Sequence, residues 1–348
     1  MGMAVSIVVG GQYGSEGKGK VVQWLAKSRS AAAVVRVGGS NSGHTAIAPD
    51  GSSIVLRQLP TGAVLPGVLC VIAPGSYIDP PLLHAEIDRV GLGLDRLLID
   101  PNAFVITEAD RAEEEASGMR AAIGSTNSGT GAAVRRRTLR QADTSRAGTC
   151  ESLKPFVGET VSRLRQISRR ERVVIEGTQG FGLSVLHSPF YPYTTTRDTS
   201  AAGALAEAGL SPTDVDEVVL TLRAFPIRVG GNSGPLANET TWEELTRISG
   251  AAQPLQEFTS VTGSLRRVAH FDPVIVRRAI EVNNPTMVVM NHVDYIDATC
   301  VGREGLTQKA SSFVRTTAEA IGRPIDFVGV SPDPVLLPSS PAIEAVAS

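Results

Sequence analysis

The chain has 348 residues, 42% of them hydrophobic and 20% charged, with 33 Lys and Arg against 35 Asp and Glu for a formal net charge of −2. That balance argues against a general nucleic-acid-binding surface, and no apolar run is long enough to cross a bilayer. Cys70, Cys150 and Cys300 are odd in number and far apart, which excludes a disulfide framework or a zinc site and suits reduced thiols.

Ala4 to Val9 is an apolar strand that runs into Gly10-Gly11-Gln12-Tyr13-Gly14-Ser15-Glu16-Gly17-Lys18-Gly19-Lys20, and Val21 to Ala26 continues with helical spacing. Strand, glycine-rich turn and helix in that order build an anion site. Glycines let backbone approach a ligand, and the helix N-terminus presents free N–H groups and a positive dipole end. Lys18 and Lys20 add charge where phosphates would sit. The stretch is like a P-loop, except that no Gly-Lys-Ser/Thr closes it. Val34 to Val37 reads as a second strand, followed by Gly38-Gly39-Ser40-Asn41-Ser42-Gly43-His44-Thr45. Ala48 to Ser53 is a polar hairpin-like segment turning at Pro49-Asp50-Gly51. Val68 to Ile72 is a strand, and Asp79 to Val90 an amphipathic helix with Pro80 and Pro81 in its first turn. Leu97 to Ile99 is a strand, Ala103 to Met119 a helix, and Gly124 to Gly131 a Ser/Thr/Gly loop ahead of Arg135-Arg136-Arg137 and Arg140.

Cys150 to Arg170 reads as a helix, and Arg172 to Glu176 as a buried strand that delivers Gly177-Thr178-Gln179-Gly180. A helix at Thr199 to Ala208 and a strand at Glu217 to Arg223 follow, then a helix at Asp272 to Glu281. The strand Thr286 to Met290 ends at Asn291-His292-Val293-Asp294. The helix Ser311 to Ile321 and the strand Ile325 to Gly329 lead to Val330-Ser331-Pro332, with Ser339 to Ser348 expected to be loosely held. Alternating strand and helix predict an α/β fold with a mainly parallel central sheet and helices on both faces. Ligands then collect outside the carboxyl ends of the strands. No repeat or long linker divides the chain, so a single domain over 1–348 is expected. The N-terminus shows no signal-peptide pattern, so a cytoplasmic location is expected, or the host cytoplasm if the source is viral.

The two early loops resemble those of the adenylosuccinate synthetase family, whose usual forms are GQWGDEGKGK and GGxNAGHT. Ile123-Gly124-Ser125-Thr126, Glu176-Gly177-Thr178-Gln179-Gly180, Tyr191-Pro192-Tyr193-Thr194-Thr195 and Val261-Thr262-Gly263 match later family motifs in order. The resemblance runs from about Val5 to about Pro332. It implies a P-loop-NTPase-like α/β fold and a ligase that makes a C–N bond in two steps. A γ-phosphoryl group is transferred to O6 of a purine monophosphate, and the amine of L-aspartate then attacks C6 and expels phosphate. Such transfer rests on positioning and charge neutralisation.

The resemblance also implies roles for residues. His44 would donate a proton at O6, Lys18 would serve the transferred phosphate, and Ser15 and the Gly43 carbonyl would lie at a Mg²⁺ ion. The triphosphate would meet Gly14, Ser15, Glu16, Gly17, Lys18, Gly19, Gly43, His44, Thr45, Arg267, Asn291, His292, Asp294 and Ser331. The monophosphate would meet Ser15, Asn41, Ser125, Thr126, Arg137, Gln179 and Thr195, and L-aspartate would meet Val261, Thr262, Gly263 and Arg266. Arg137, with Arg136 as second choice, would cross a homodimer interface to the neighbour's 5′-phosphate. No nucleic acid and no membrane is implied.

Three departures are informative. Ser15 stands where the family has the aspartate that takes the N1 proton of IMP and contacts the metal. A serine hydroxyl is a weak base, but it leaves room for, and accepts from, the 2-amino group of guanine. This resembles the viral 2-aminoadenylosuccinate synthetases, which act on dGMP; the base role is then shared with substrate or water. Ser264 and Leu265 replace two arginines of the T-G-R-R-R-R pattern, leaving Arg266 and Arg267 and an apolar group suited to a 2′-deoxy sugar. His292 replaces the lysine of Thr-Lys-Leu-Asp while Asp294 is kept, which opens the donor site to ATP or dATP instead of GTP. The sequence thus points to dGMP, L-aspartate and ATP or dATP as substrates. An IMP- and GTP-using enzyme is the alternative, and a non-catalytic nucleotide-binding paralogue the third reading.

Overall fold

A computed structural model describes residues 4–142, 145–259 and 263–339 of the chain. The loosely held end expected from Ser339 onward lies outside the described residues after Ser339 itself. Nine strands make the central sheet: β1 (Val5–Gly10), β2 (Ala31–Arg36), β3 (Leu69–Ile72), β4 (Leu97–Ile99), β5 (Arg172–Glu176), β6 (Val215–Arg223), β7 (Met287–Asn291), β8 (Phe327–Val328) and β9 (Leu337–Pro338). Their spatial order is β9-β8-β7-β6-β1-β5-β2-β3-β4. Every neighbouring pair is parallel except β8 with β9, which closes one edge antiparallel.

The apolar runs read as buried strands because the sheet is covered on both sides. Val5, Ile7 and Val9 of β1 face one hydrophobic cluster together with Val173 and Ile175 of β5 and Leu220 and Leu222 of β6. Val8, Val174 and Val219 face the other. The period-2 alternation of a strand sends successive side chains to opposite faces. Helices α1 (Lys18–Ser28) and α2 (Pro80–Val90) cover the second face through Val21, Val22, Leu25, Leu83 and Ile87. Helices α3 (Glu108–Ala116), α4 (Met119–Ile123) and α5 (Thr130–Thr138) form a lobe beside the sheet. Helices α6 (Thr160–Ser168), α7 (Ala201–Ala208), α9 (Pro273–Asn283) and α10 (Gln308–Ile321) cover the first face, and α8 (Trp242–Ser249) packs on a satellite cluster with Phe225 and Ile296. Burying one such Leu or Ile is worth about 1.5–3 kcal/mol, and truncation of Leu25 or Ile7 to Ala would cost about 2–5 kcal/mol.

Three expected elements are shorter than their patterns suggest. The run Ala103 to Met119 opens with a two-residue strand, Phe104–Val105, paired with Tyr77–Ile78. Its helix begins only after Thr107, whose hydroxyl forms a capping box with Asp110, and is interrupted by the left-handed Gly118. In the stretch Cys150 to Arg170, Pro155 sits within a 3₁₀ segment, Glu151–Phe156, and α6 starts at Thr160. The last predicted strand shrinks to Phe327–Val328. The hairpin is present as His44–Ile47 paired with Ser53–Leu56.

Candidate active site

The glycine loop after β1 is held by side chains that replace the missing regular structure. Glu16 is fully buried beneath it. Its Oε1 accepts the N–H of Gln12 at 3.1 Å and of Gly14 at 2.7 Å, and its Oε2 pairs with Lys18 Nζ at 2.8 Å. Gln12 exchanges two hydrogen bonds with the backbone of Arg223 at the end of β6, and Asn291 Nδ2 donates to the Glu16 carbonyl at 2.8 Å. The loop is thus tied to β6 and β7, its neighbours toward one edge. Gly17 has φ +83°, and a Cβ there would meet Asn291 Nδ2 at 2.7 Å, so the turn into α1 accepts no other residue without displacement.

Above the carboxyl ends of β1, β5, β6 and β7 opens a cavity of about 680 Å³. Gly14, Ser15, Gly17, Lys18, Gly19 and Lys20 line it from the first loop, and Asn41, Gly43, His44 and Thr45 from the second. Ser125, Thr126, Gln179, Arg266, Asn291, His292, Asp294 and Ser331 complete the wall among the residues singled out by sequence. A second cavity of about 370 Å³ continues past Asn41, Thr126 and Gln179 and brings in Thr195 and Arg135. Lys18 Nζ also donates to the Gln179 carbonyl, joining the two loops. Ser15 is exposed to the cavity with φ +56°, and its hydroxyl accepts from Arg266 Nη1.

His44 ends in a buried charge cluster. Its Nδ1 contacts Glu176 Oε1 and lies 2.6 Å from Arg36 Nη1, while Glu176 Oε2 accepts from the Thr61 N–H at 2.7 Å. Burial, followed by the neighbouring Arg36 guanidinium, pushes the imidazole down to about 4. Burial alone would raise Glu176, but His44 and Arg36 hold it below the usual carboxylate range. The histidine is therefore neutral at rest, with Nδ1 engaged by Glu176 and Arg36 and Nε2 lying 3.5 Å from the Ser42 hydroxyl at the cavity wall.

At the other end of the cavity, Lys20 turns away from the loop. Residues 18 and 20 are about 200° apart around a helix, so only Lys18 faces the loop's anion pocket. Lys20 Nζ donates to the Ser331 carbonyl at 2.5 Å, and burial pushes it down to about 8. His292 is half-buried, packs against the Tyr295 ring at 5.1 Å, and is pushed down to about 3 by desolvation and the nearby Arg223. Burial also raises Asp294.

Several sequence-selected residues stand elsewhere. Glu16 supports the loop from below and does not reach the cavity. Arg267 lies outside the cavity wall, pairing with Glu239 and donating to the Gly234 carbonyl at 2.7 Å. Arg137 donates to the Pro74 carbonyl at 3.1 Å and lies over the Tyr77 and Phe104 rings of its own chain, and Arg136 pairs with Asp110. Gly263 is exposed, and Val261 and Thr262 lie outside the described residues. Arg36, Glu176 and Arg223 were not given site roles from sequence, although each is a charged residue closing an apolar strand. That pattern, three buried strands ending in a charge at one sheet edge, is the signal that would have found them.

Among the described residues no group of three His, Cys, Asp or Glu gathers to hold a metal. The wall offers the Ser15 hydroxyl and the Gly43 carbonyl, two neutral oxygens. Mg²⁺ keeps several waters and is commonly bound through few protein ligands plus substrate phosphates, so this donor set fits it only in company with a nucleotide.

The family model described as adenylosuccinate synthetase matches residues 7–149 and 144–301. The adenylosuccinate synthetase of Methanocaldococcus jannaschii is 34% identical over 342 residues, covering 95% of each chain. That of Pyrococcus horikoshii is 33% identical over 335 residues, covering 94% of this chain and 96% of its own. Among solved structures, the succinoaminodeoxyadenylate synthetase of cyanophage S-2L, bound to dGMP and to dATP as an energy donor, superposes with a TM-score of 0.82 at 28% identity, covering 98% of this chain and 97% of its own. The fully ligated adenylosuccinate synthetase of Plasmodium falciparum superposes with a TM-score of 0.83 at 20% identity over 97% of this chain and all of its own, a likeness of fold. With near-complete coverage by both sequence and structure, and the two glycine loops meeting over one cavity, the chain belongs to the adenylosuccinate synthetase family of C–N ligases.

Proposed function

We propose that this enzyme joins L-aspartate to dGMP, with ATP or dATP as phosphoryl donor. The observation that carries the reading is Ser15: a short hydroxyl exposed to the cavity at the loop position where the family aspartate would meet the purine. A hydroxyl accepts through two lone pairs. One is taken by Arg266, and the other is available to the 2-amino group that guanine has and hypoxanthine lacks. The cyanophage enzyme bound to dGMP and dATP supports this choice. Leu265 is 45% exposed but lines neither cavity, so it does not add to this reading. At the donor end, His292 stands beside Asp294 in the cavity wall where the family pattern has a lysine, and this departure supports an adenine donor.

In this reading the purine monophosphate lies across Asn41, Thr126, Gln179 and Thr195, and the triphosphate over Gly14 to Gly19 with its base toward His292 and Asp294. With both Ser15 lone pairs taken by Arg266 and the purine, Gly43 would hold Mg²⁺ together with phosphate oxygens; when bound, the ion neutralises charge on the transferred group. His44 directs Nε2 toward O6; with its one N–H at Nδ1 facing Glu176, the ring donates there only after taking up a second proton, and the Glu176 carboxylate stabilises that imidazolium. Arg266 holds the aspartate carboxylate by its planar fork. Lys18 adds a fixed positive charge at the loop. The partner subunit of a homodimer supplies Arg137, which would leave its own Tyr77 to do so.

That the archaeal relatives are adenylosuccinate synthetases supports the alternative reading of IMP and GTP, and one assay separates the two readings. Phosphate release is followed with Mg²⁺, L-aspartate and each pairing of dGMP or IMP with ATP, dATP or GTP. Turnover of dGMP with an adenine donor is expected. Turnover of IMP without dGMP would overturn the proposal, and nucleotide binding without turnover of any pair would point to a non-catalytic protein.

A further inference from the structure

Arg223, at the carboxyl end of β6, heads the largest fully buried side chains, with no solvent exposure. Its Nη1 donates to the Ser15 carbonyl at 3.0 Å and to Glu257 Oε2 at 3.3 Å, and its Nη2 pairs with Glu257 Oε1. Glu257 accepts from the Tyr295 hydroxyl at 3.1 Å, and its own backbone carbonyl accepts the Arg266 N–H at 2.9 Å. Arg266 then reaches back to the Ser15 hydroxyl. The four residues close a circuit: Arg223 holds the backbone of Ser15, Glu257 holds Arg223 and the root of Arg266, and Arg266 meets the Ser15 side chain.

We infer that Arg223 and Glu257 are positioning residues that hold the Ser15 turn and the Arg266 guanidinium in register for the purine and for L-aspartate. The inference rests on the roles proposed above for Ser15 and Arg266. The stability of the fold does not account for such a pair, because well-packed hydrophobic residues can replace a buried ion pair with little or no loss. What the pair supplies is direction. A non-glycine residue in the left-handed region costs about 1–2 kcal/mol and persists only where its surroundings hold it there. Ser15 has φ +56°, and the donor that fixes its carbonyl is Arg223. Loss of that donor lets the turn relax and swings the hydroxyl away from its place. Glu257, with its side chain 20% exposed, reaches the cavity wall and keeps the guanidinium from turning toward substrate phosphates.

The test separates positioning from stability. Arg223→Met alone strands the Glu257 carboxylate, so it should lower the melting temperature and activity together. The double variant Arg223→Met/Glu257→Gln removes both charges and should melt close to the wild-type chain. If the pair positions the site, its KM for L-aspartate and for the monophosphate remains raised by about tenfold or more, while KM for the triphosphate changes little. Arg223→Lys, which keeps one directed donor, should recover much of that loss. A stable double variant with wild-type KM values for both L-aspartate and the acceptor would overturn the inference. Should the double variant not fold, Glu257→Gln, which removes the carboxylate that pairs with Arg223, takes its place, and an unchanged KM for L-aspartate in that folded variant overturns it equally. The measurements use whichever acceptor the substrate panel finds active. An enzyme that prefers IMP refutes the dGMP reading and leaves this comparison intact; if no acceptor is turned over, calorimetric titration of L-aspartate replaces KM with the same expected direction.

Discussion

Ser15→Asp restores the family's usual side chain at the centre of the proposed specificity. The position tolerates it: the side chain is exposed, its backbone is at φ +56°, where Asp is among the favoured non-glycine residues, and its carbonyl keeps the 3.0 Å bond from Arg223. The fold should therefore change in stability by no more than about 0.5 kcal/mol. The new carboxylate is longer by one C–C bond, about 1.5 Å, and lies beside Arg266, which would pair with it. Both effects act on dGMP: the 2-amino group meets a crowded site, and the carboxylate must be desolvated against it. Differences of this kind in a pocket are worth about 1–3 kcal/mol, or about 10- to 200-fold in kcat/KM. The ratio of kcat/KM for dGMP to that for IMP, measured by phosphate release, should fall by that factor, with some IMP use gained. A variant that keeps full dGMP activity with an unchanged ratio would refute the steric argument.

Gln179→Ala should weaken dGMP binding by about fivefold to tenfold, the loss of one or more polar contacts, and leave ATP binding nearly intact because Lys18 contacts the retained backbone carbonyl; equal losses by calorimetry would mean misfolding or a wrong assignment. Arg137→Leu should raise KM for the monophosphate without unfolding the chain, and mixing it with His44→Ala should restore partial activity, since one pocket of a mixed dimer carries neither lesion. No recovery, with subunit exchange shown independently, would place Arg137 in cis or outside the reaction. Acidification should lower the melting temperature from about pH 6.5 downward. His44 at about 4 and His292 at about 3 are held neutral by the fold, so between those values and about 6.5 the unfolded chain binds more protons and stability falls by up to about 1.4 kcal/mol per pH unit for each histidine. Glu176 and Glu257, held low in the fold, extend the loss below about pH 4.5 as they are protonated. His292→Gln should flatten the upper part of this profile, and a melting temperature constant from pH 7 to pH 5 would exclude the mechanism.

The sequence by itself determined the layered fold and the two loops at its centre. Apolar runs such as Val5 to Val9 and Val173 to Ile175 carry their burial in their composition, because a strand covered on both faces needs no alternation. Gly17 and the hairpin turn at Gly51 announce themselves because few other residues adopt their backbone. The order of loops also placed Asn41, His44, Gln179 and Asp294 together, since parallel strands bring their carboxyl ends to one edge. Tertiary structure decided which way the charges turn. Lys18 and Lys20 look alike in sequence, but helix geometry sends one to the loop and the other to Ser331. Arg267 and Arg137 read as ligands by motif, and only the folded chain shows that Arg267 pairs with Glu239 and that Arg137 lies over the rings of Tyr77 and Phe104. Arg36, Glu176, Arg223 and Glu257 gain their meaning only from partners 8 to 208 residues away. A charge buried in a low-dielectric interior is governed by whatever lies within a few ångströms of it, and that neighbourhood exists only once the strands have assembled.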